Sequence, residues 1–221
     1  MNIATANLGP RAKAIMMAAQ ARQESAGGSL SDALKHLAAK GVFNVPRPNR
    51  APDKFGAEHD VFLAEDGMRV IKFARNFGFV PAVTDGHLIM KSATPEEYLL
   101  RHALEEQTFA TGIRVEGLAD ESFFVISQRL IVGGHPTKNT VRKYLLSMGF
   151  VNMPACFGQG GEAWFHTAAG VLIMDTSPDN FVEAAQGIVP IDLLIAELDE
   201  ALLELVGAAK ALLKQAPQIT P

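Results

Sequence analysis

The stretch Val171 to Asp192, VLIMDTSPDNFVEAAQGIVPID, decides how this chain reads. An apolar β-like run ends in Asp175, a short polar loop places Asn180 five residues later, and a second β-like segment turning at Gln186-Gly187 delivers Asp192. One hairpin thereby carries three oxygen ligands. Hard divalent cations such as Mg²⁺ take few protein carboxylate or amide oxygens and complete their shell with water and phosphate. Phosphoryl transfer uses such a cation beside an Asp that accepts a hydroxyl proton. A Ser-Pro-Asp-Asn turn is also an ordinary capping loop, so the surrounding segments must decide between the two.

Working outward, Trp164 to Thr167 reads as a strand paired with Val171 to Met174. Gly158 to Gly161 reads as a flexible turn, lacking the Lys and Ser/Thr of a P-loop. Thr137 to Met148 predicts a helix, with Val141, Leu145 and Met148 at helical spacing and Gly149 as its stop. Downstream, Leu194, Leu198, Leu202, Leu205, Ala209 and Leu212 follow helical spacing. Acids gather early (Glu197, Asp199, Glu200, Glu204) and lysines late (Lys210, Lys214), as the helix dipole favours. This pattern predicts a C-terminal helix almost directly after Asp192.

The first half is richer in strands. His59 to Leu63, the turn Glu65-Asp66-Gly67 and Met68 to Phe73 form a hairpin pattern. Alternation in MRVIKF puts Val70 and Lys72 on one face, Ile71 and Phe73 on the other. A lysine in such a run either snorkels to solvent or meets an anion. A short strand, His87 to Met90, precedes Thr94-Pro95-Glu96-Glu97. There Thr94 is an N-cap, Pro95 the first helical residue and Glu97 the third, completing a capping box for a helix to about Phe109. Strands at Ile113 to Gly117 and Ser122 to Gln128 follow. Before all of these come two helices, Arg11 to Gln23 and Ser31 to Lys40, the second capped by Ser31 and stopped by Gly41. Residues 44–54, with three prolines, read as a connector.

Length and composition set the outer limits. At 221 residues the chain fits one large domain or two small lobes. Its 48% hydrophobic and 20% charged content is that of an ordinary globular protein. A net charge of -4 gives no general attraction for nucleic acid or anionic membrane. Cys156 is the single cysteine, which excludes an internal disulfide and suits a reducing, cytoplasmic setting. The six histidines lack zinc-site spacing and a Cys partner. No run approaches the roughly 18 apolar residues of a membrane helix. Arg11, Lys13 and Arg22, with no acid among the first 23 residues, could mimic a transit peptide, but IMMAAQA reads as a packing helix.

The order is a hairpin with a strand lysine, a helix with an acid near its start, two strands, a connection, a helix, then Asp-x-x-x-x-Asn and a hairpin to a second Asp. Those are the parts of a protein kinase in their order. The chain resembles, in particular, the kinase-like domain of polyvalent proteins of phages and conjugative elements. The resemblance rests on FGAEHDVF (55–62), VIKF (70–73), PEEYLLR (95–101), SQRLIVG (127–133), PT (136–137), GF (149–150), DTSPDN (175–180) and PID (190–192), and covers roughly residues 50–197.

The resemblance implies an α+β, reduced bilobal kinase-like fold: a helical N-terminal extension (1–43), a β-rich N-lobe (44–130), and a small C-lobe with its C-terminal helix (131–221). It implies ATP and Mg²⁺ as cofactors and an unidentified protein or small molecule as phosphoryl acceptor. Lys72 would hold ATP phosphates, paired by Glu97 or, failing that, Glu105. Asp175 would be the catalytic base, with Asn180 and Asp192 as metal ligands. Gly56 to His59 takes the place of the phosphate-covering loop, and residues 126–130, with Gln128, that of the hinge at the adenine. Several departures stand out. There is no Gly-x-Gly-x-x-Gly, Ile173 and Met174 replace the usual His and Arg, and Leu193-Leu194 follows Asp192. A second expectation is therefore a catalytically weak or inactive kinase-like binding or regulatory module of a mobile element.

Overall fold

The computed structural model describes residues 7–119, 123–154 and 162–215. Cys156 and the Gly158 to Gly161 turn lie outside the described residues. In chain order the elements are α1 (Pro10–Ala26), α2 (Leu30–Ala39), β1 (Lys54–Phe55), β2 (His59–Leu63), β3 (Arg69–Ala74), β4 (Phe79–Thr84), β5 (His87–Ser92), α3 (Pro95–Phe109), β6 (Arg114–Ala119) and β7 (Phe123–Arg129). They continue with α4 (Lys138–Ser147), β8 (Val151–Asn152), β9 (Trp164–His166), β10 (Val171–Met174), β11 (Phe181–Ala184), β12 (Gly187–Pro190), β13 (Leu194–Glu197) and α5 (Glu200–Gln215). The fold is mixed α+β with antiparallel sheets. No helix among the described residues is long and apolar enough to cross a membrane.

The chain divides into two compact units: residues 1–78 with 92–130, and residues 79–91 with 131–221. The first contains the five-stranded sheet β1-β2-β3-β7-β6. Across it Val61, Lys72 and Ile126 stand opposite one another, as do Leu63, Val70 and Gln128, so these six share a face. Toward the other end of that face, Ala74, Phe124, Ile126, Val115 and Leu118 form a core with Tyr98, Leu99 and Ala103 of α3. The rings of Tyr98 and Phe124 stack with centroids 5.7 Å apart. Burial of each such large apolar side chain contributes about 1.5–3 kcal/mol. The opposite face buries Phe62, Phe73, Ala119 and Val125.

The N-terminal helices belong to this first core rather than forming a separate extension. On α1, Ala12, Ile15, Met16 and Ala19 are buried at helical spacing, and the helix lies against β6 and α2. The cap of α2 is Ser29, reciprocally bonded with Asp32, and not Ser31, which sits one turn position inside the helix. The connector then runs alongside β6, with Val45 N–H donating to Leu118 C=O at 2.8 Å. Gly117 permits that approach, because a Cβ there would strike the Phe43 carbonyl.

In the second unit, the sheet order is β13-β10-β9-β8, and α5 packs Leu202, Leu205, Val206 and Ala209 into its core, joined by Leu198 just before the helix. Two expectations change here. Leu194 to Glu197 is a strand, not the start of the final helix, and pairs with β10 so that Ile195 faces Ile173. The buried β10 needs backbone partners on both sides, and β9 supplies only one. The helix begins instead after Asp199, whose carboxylate accepts from Leu202 N–H at 2.9 Å. Second, His87 to Met90 is half of a hairpin with β4, and Leu88 is buried in the second core. Residues 79–91 therefore belong with 131–221, although they interrupt the first unit's sequence.

Candidate functional site

In the second unit, four consecutive buried residues, Val171 to Met174, carry β10 to its end, where Asp175 is exposed. Asp175 has φ 55°, in the left-handed region that Asp and Asn tolerate better than other residues with side chains. The chain turns there and makes a single 3-10 turn, Pro178–Asn180. Asn180 ties the loop together. Its Nδ2 donates to the Asp175 carbonyl at 2.7 Å, its backbone N–H donates to Ser177 C=O at 3.0 Å, and its carbonyl accepts from Ile191 N–H at 2.9 Å. The last bond follows from the β11–β12 register, Phe181 opposite Pro190, and places Asp192 in the turn beside Asn180. Because the amide nitrogen faces the Asp175 carbonyl, Oδ1 is the end left for a cation. Asp192, the residue after Ile191, is exposed and carries the second candidate oxygen. This donor set fits a hard, water-rich cation such as Mg²⁺.

A residue that the sequence reading left unassigned supports this loop. His135 donates from Nδ1 to the Phe181 carbonyl at 3.1 Å, at the root of β11, and Glu183 N–H donates to Gly134 C=O at 2.7 Å. Gly133 is required beside them, since a Cβ would collide with the Glu183 backbone.

The first unit contains the other candidates. Lys72 is 8% exposed, so it is a buried strand lysine rather than one in solvent. It sits within electrostatic range of His59 and His102. Glu97 forms the capping box, its Oε2 accepting from Thr94 N–H at 2.9 Å, and is partly exposed at the start of α3. Glu105 is two turns further along and 1% exposed, with Oε2 3.5 Å from His102 Nδ1. Of the two acids, Glu97 thus has a helix-starting duty and Glu105 lies in the interior.

The phosphate-loop expectation is corrected in part. Residues 56–58 form a tight turn between β1 and β2, with Gly56 N–H donating to His59 C=O at 2.8 Å. The Arg75 guanidinium donates to the Gly56 and Ala57 carbonyls, and Arg75 N–H to Glu58 C=O at 2.8 Å. His59 does not project from that turn as a cofactor ligand. Its ring is 3% exposed and its Nε2 lies 2.9 Å from the Tyr98 hydroxyl. The hinge expectation also changes: residues 126–129 are strand paired to β3, and Leu130 N–H still bonds Met68 C=O at 2.9 Å. Gln128 within it is 1% exposed.

Around His59 lies a buried polar cluster that the sequence reading missed. Arg101, almost fully buried, forms a bidentate pair with the Glu58 carboxylate and approaches His102 Nε2 at 3.4 Å. Burial holds the His59 imidazole well below its ordinary value of 6.5, and the cations of Lys72, Arg101 and Arg75 add to this. His102 is held well below 6.5 by burial first, then by Arg101, His59 and Lys72. Both rings are neutral near pH 7. Glu58, His59 and His102 are the metal-ligand-like group among the described residues, their ligand atoms lying within 4.8 Å of one another. The Arg101 guanidinium already bridges Glu58 and His102, however, and serves as that cluster's cation. The available signal was a polar stripe at Tyr98, Arg101, His102 and Glu105, spaced as one face of α3.

No family model matches the chain, and no curated protein or solved structure matches it.

Proposed function

We propose that this protein is an ATP- and Mg²⁺-dependent phosphotransferase of the protein-kinase-like type, in a reduced form. The observation that carries the reading is Asn180, which bonds the Asp175 carbonyl through Nδ2 and, through its own carbonyl, the N–H of Ile191, the residue before Asp192. An Asp and an Asn five residues apart, followed on the next turn by a second Asp, form the catalytic loop and metal-binding pair of kinases. A lysine on the third strand of an antiparallel sheet, ahead of a helix carrying an acid, also agrees with that arrangement. The likeness to the polyvalent-protein kinase-like domain rests on the sequence motifs alone.

In this reading Asp175 accepts the proton of the acceptor hydroxyl as its oxygen bonds to the terminal phosphorus of ATP, while the bond from that phosphorus to the β,γ-bridging oxygen breaks and ADP leaves. Asn180 Oδ1 and the Asp192 carboxylate would hold the metal, which would supply charge compensation for the phosphates when bound. Lys72 would hold the phosphates, with Glu97 or Glu105 as the acid that pairs with it. Met174, 2% exposed, stands where an Arg would read a phosphorylated activation segment, and β13 follows Asp192 almost at once. Activity is therefore expected without activation-loop phosphorylation. Mg·ATP should raise the melting temperature of the wild type, and Asp192→Ala should abolish the rise. Absence of any shift at millimolar Mg·ATP would sink the reading.

One observation favours a nucleotide-binding module without turnover: the turn at residues 56–58 is tethered by Arg75 and, through Glu58, by Arg101. A thermal shift with no phosphate transfer by any assay would select that second reading.

A further inference from the structure

A cavity of about 180 Å³ opens within the first unit, lined by Arg47, Asp60, Phe73, Arg75, Ala119 and Phe123. Asp60, Phe73 and Val125 stand opposite one another on β2, β3 and β7, one residue out of step with Val61, Lys72 and Ile126. Successive strand residues point to opposite faces, so Asp60 and Phe73 lie on the side of the sheet away from Lys72. Asp60 is 5% exposed. Its Oδ2 accepts from Arg47, while its Oδ1 finds no hydrogen bond among the described residues, Arg75 Nε being 3.7 Å away. A buried carboxylate oxygen left unmet is costly and calls for a donor. Arg47 lies over the Phe62 and Phe73 rings, its Cζ 5.7 and 5.5 Å from their centroids, and Arg75 is anchored on the Gly56 and Ala57 carbonyls. Each guanidinium has five N–H groups, of which these bonds use only some. Two guanidiniums against one carboxylate leave these walls with a single positive charge, above an apolar floor of Phe73, Ala119 and Phe123.

We propose that this cavity binds a compact 2-hydroxy carboxylate with an apolar body. The carboxylate meets Arg47 and Arg75, whose planar forks suit it. The adjoining hydroxyl donates to Asp60 Oδ1, and the terminal torsion of an Asp side chain is soft enough to turn that oxygen toward it. The hydrocarbon body lies on the apolar floor. One negative charge on the ligand balances the walls, which a zwitterion would not do. A cavity of roughly 150 Å³ admits a benzene ring, so a single ring or short branched chain is the size expected here. The proposal does not depend on the phosphotransferase reading, since none of these residues is assigned to it.

Calorimetric titration of the full chain compares mandelate with three relatives that each remove one match. Phenylacetate lacks the hydroxyl, lactate lacks the ring, and phenylglycine carries an ammonium in place of the hydroxyl. Mandelate should bind about 10- to 100-fold more tightly than phenylacetate, the worth of a hydrogen bond to a charged group. It should also bind more tightly than lactate and phenylglycine. Arg75→Met should weaken mandelate and phenylacetate alike, by about tenfold, leaving their ratio unchanged. The ligand series needs only the wild type, so it decides even where the variant does not fold. Equal affinity for mandelate and phenylacetate would overturn the proposal. So would tighter binding of phenylglycine or lactate, mandelate binding untouched by Arg75→Met, or no binding of mandelate at millimolar concentration.

Discussion

The polar residues of the two units are treated in opposite ways. In the first, Glu58, His59, Arg101, His102 and Glu105 are largely buried and clustered, with Arg101 paired to Glu58, His59 bonded to Tyr98 and Glu105 beside His102. In the second, Asp175 and Asp192 are exposed, and one amide, Asn180, orders the loop that carries them. A buried charged network contributes to specifying a shape, and its failure is structural. An exposed pair of carboxylates on a pinned loop can meet a ligand, and its failure is functional. Unit one should therefore answer to mutation and pH through stability, and unit two through chemistry.

The sharpest way to break this contrast is Arg101→Ala. Removing a buried cation from a bidentate pair leaves the Glu58 carboxylate uncompensated, and the expected loss is about 3–5 kcal/mol in denaturant unfolding. A loss within 1 kcal/mol would mean that the cluster is not structural. Acid should act on the same unit next. The folded-state pKa values of His59 and His102 lie well below 6.5, so below pH 6.5 the unfolded chain binds more protons than the folded one. Stability is then fully present above 6.5 and falls as pH is lowered toward the folded values, by at most about 1.4 kcal/mol per pH unit for each histidine. Unfolding free energies between pH 7.5 and 5 measure the slope, and His102→Leu should reduce it. On the other side of the comparison, Asn180→Ala should cost only about 0.5–1.5 kcal/mol, the net value of one hydrogen bond, while abolishing Mg²⁺-dependent nucleotide binding. If it instead unfolds the protein, the loop is structural like the cluster.

Much of this contrast was legible where local rules govern. The alternation in MRVIKF placed Val70 and Lys72 on one face, as β3 has them, and Thr94-Pro95-Glu96-Glu97 marked the start of α3 with its capping box. The loop was legible because its contacts, Asp175 to Asn180 to Ile191, are close in sequence. Strand β13 was not, because Leu194 and Leu198 satisfy a helical period and the pairing with β10, from Met174 with Leu194 to Val171 with Glu197, is distant in sequence. The β4–β5 hairpin was half missed: only His87 to Met90 was read as a strand, yet Asp85-Gly86, with φ 51° and 72°, is the two-residue turn that signals a hairpin. The buried cluster joins β2 to α3 across some forty residues, and an isolated His, Arg or Glu in a sequence carries no sign of burial.

The central claim concerns Asp175. Its left-handed backbone makes Asp175→Asn the informative change, because Asn tolerates that conformation while losing the proton acceptor. Transfer of labelled terminal phosphate from Mg·ATP to the protein itself or to water should be measured in wild type and in this variant, alongside Mg·ATP binding. The account predicts equal binding and a loss of transfer of at least about a hundredfold, the usual reach of general base catalysis. Equal transfer in the two proteins would contradict it.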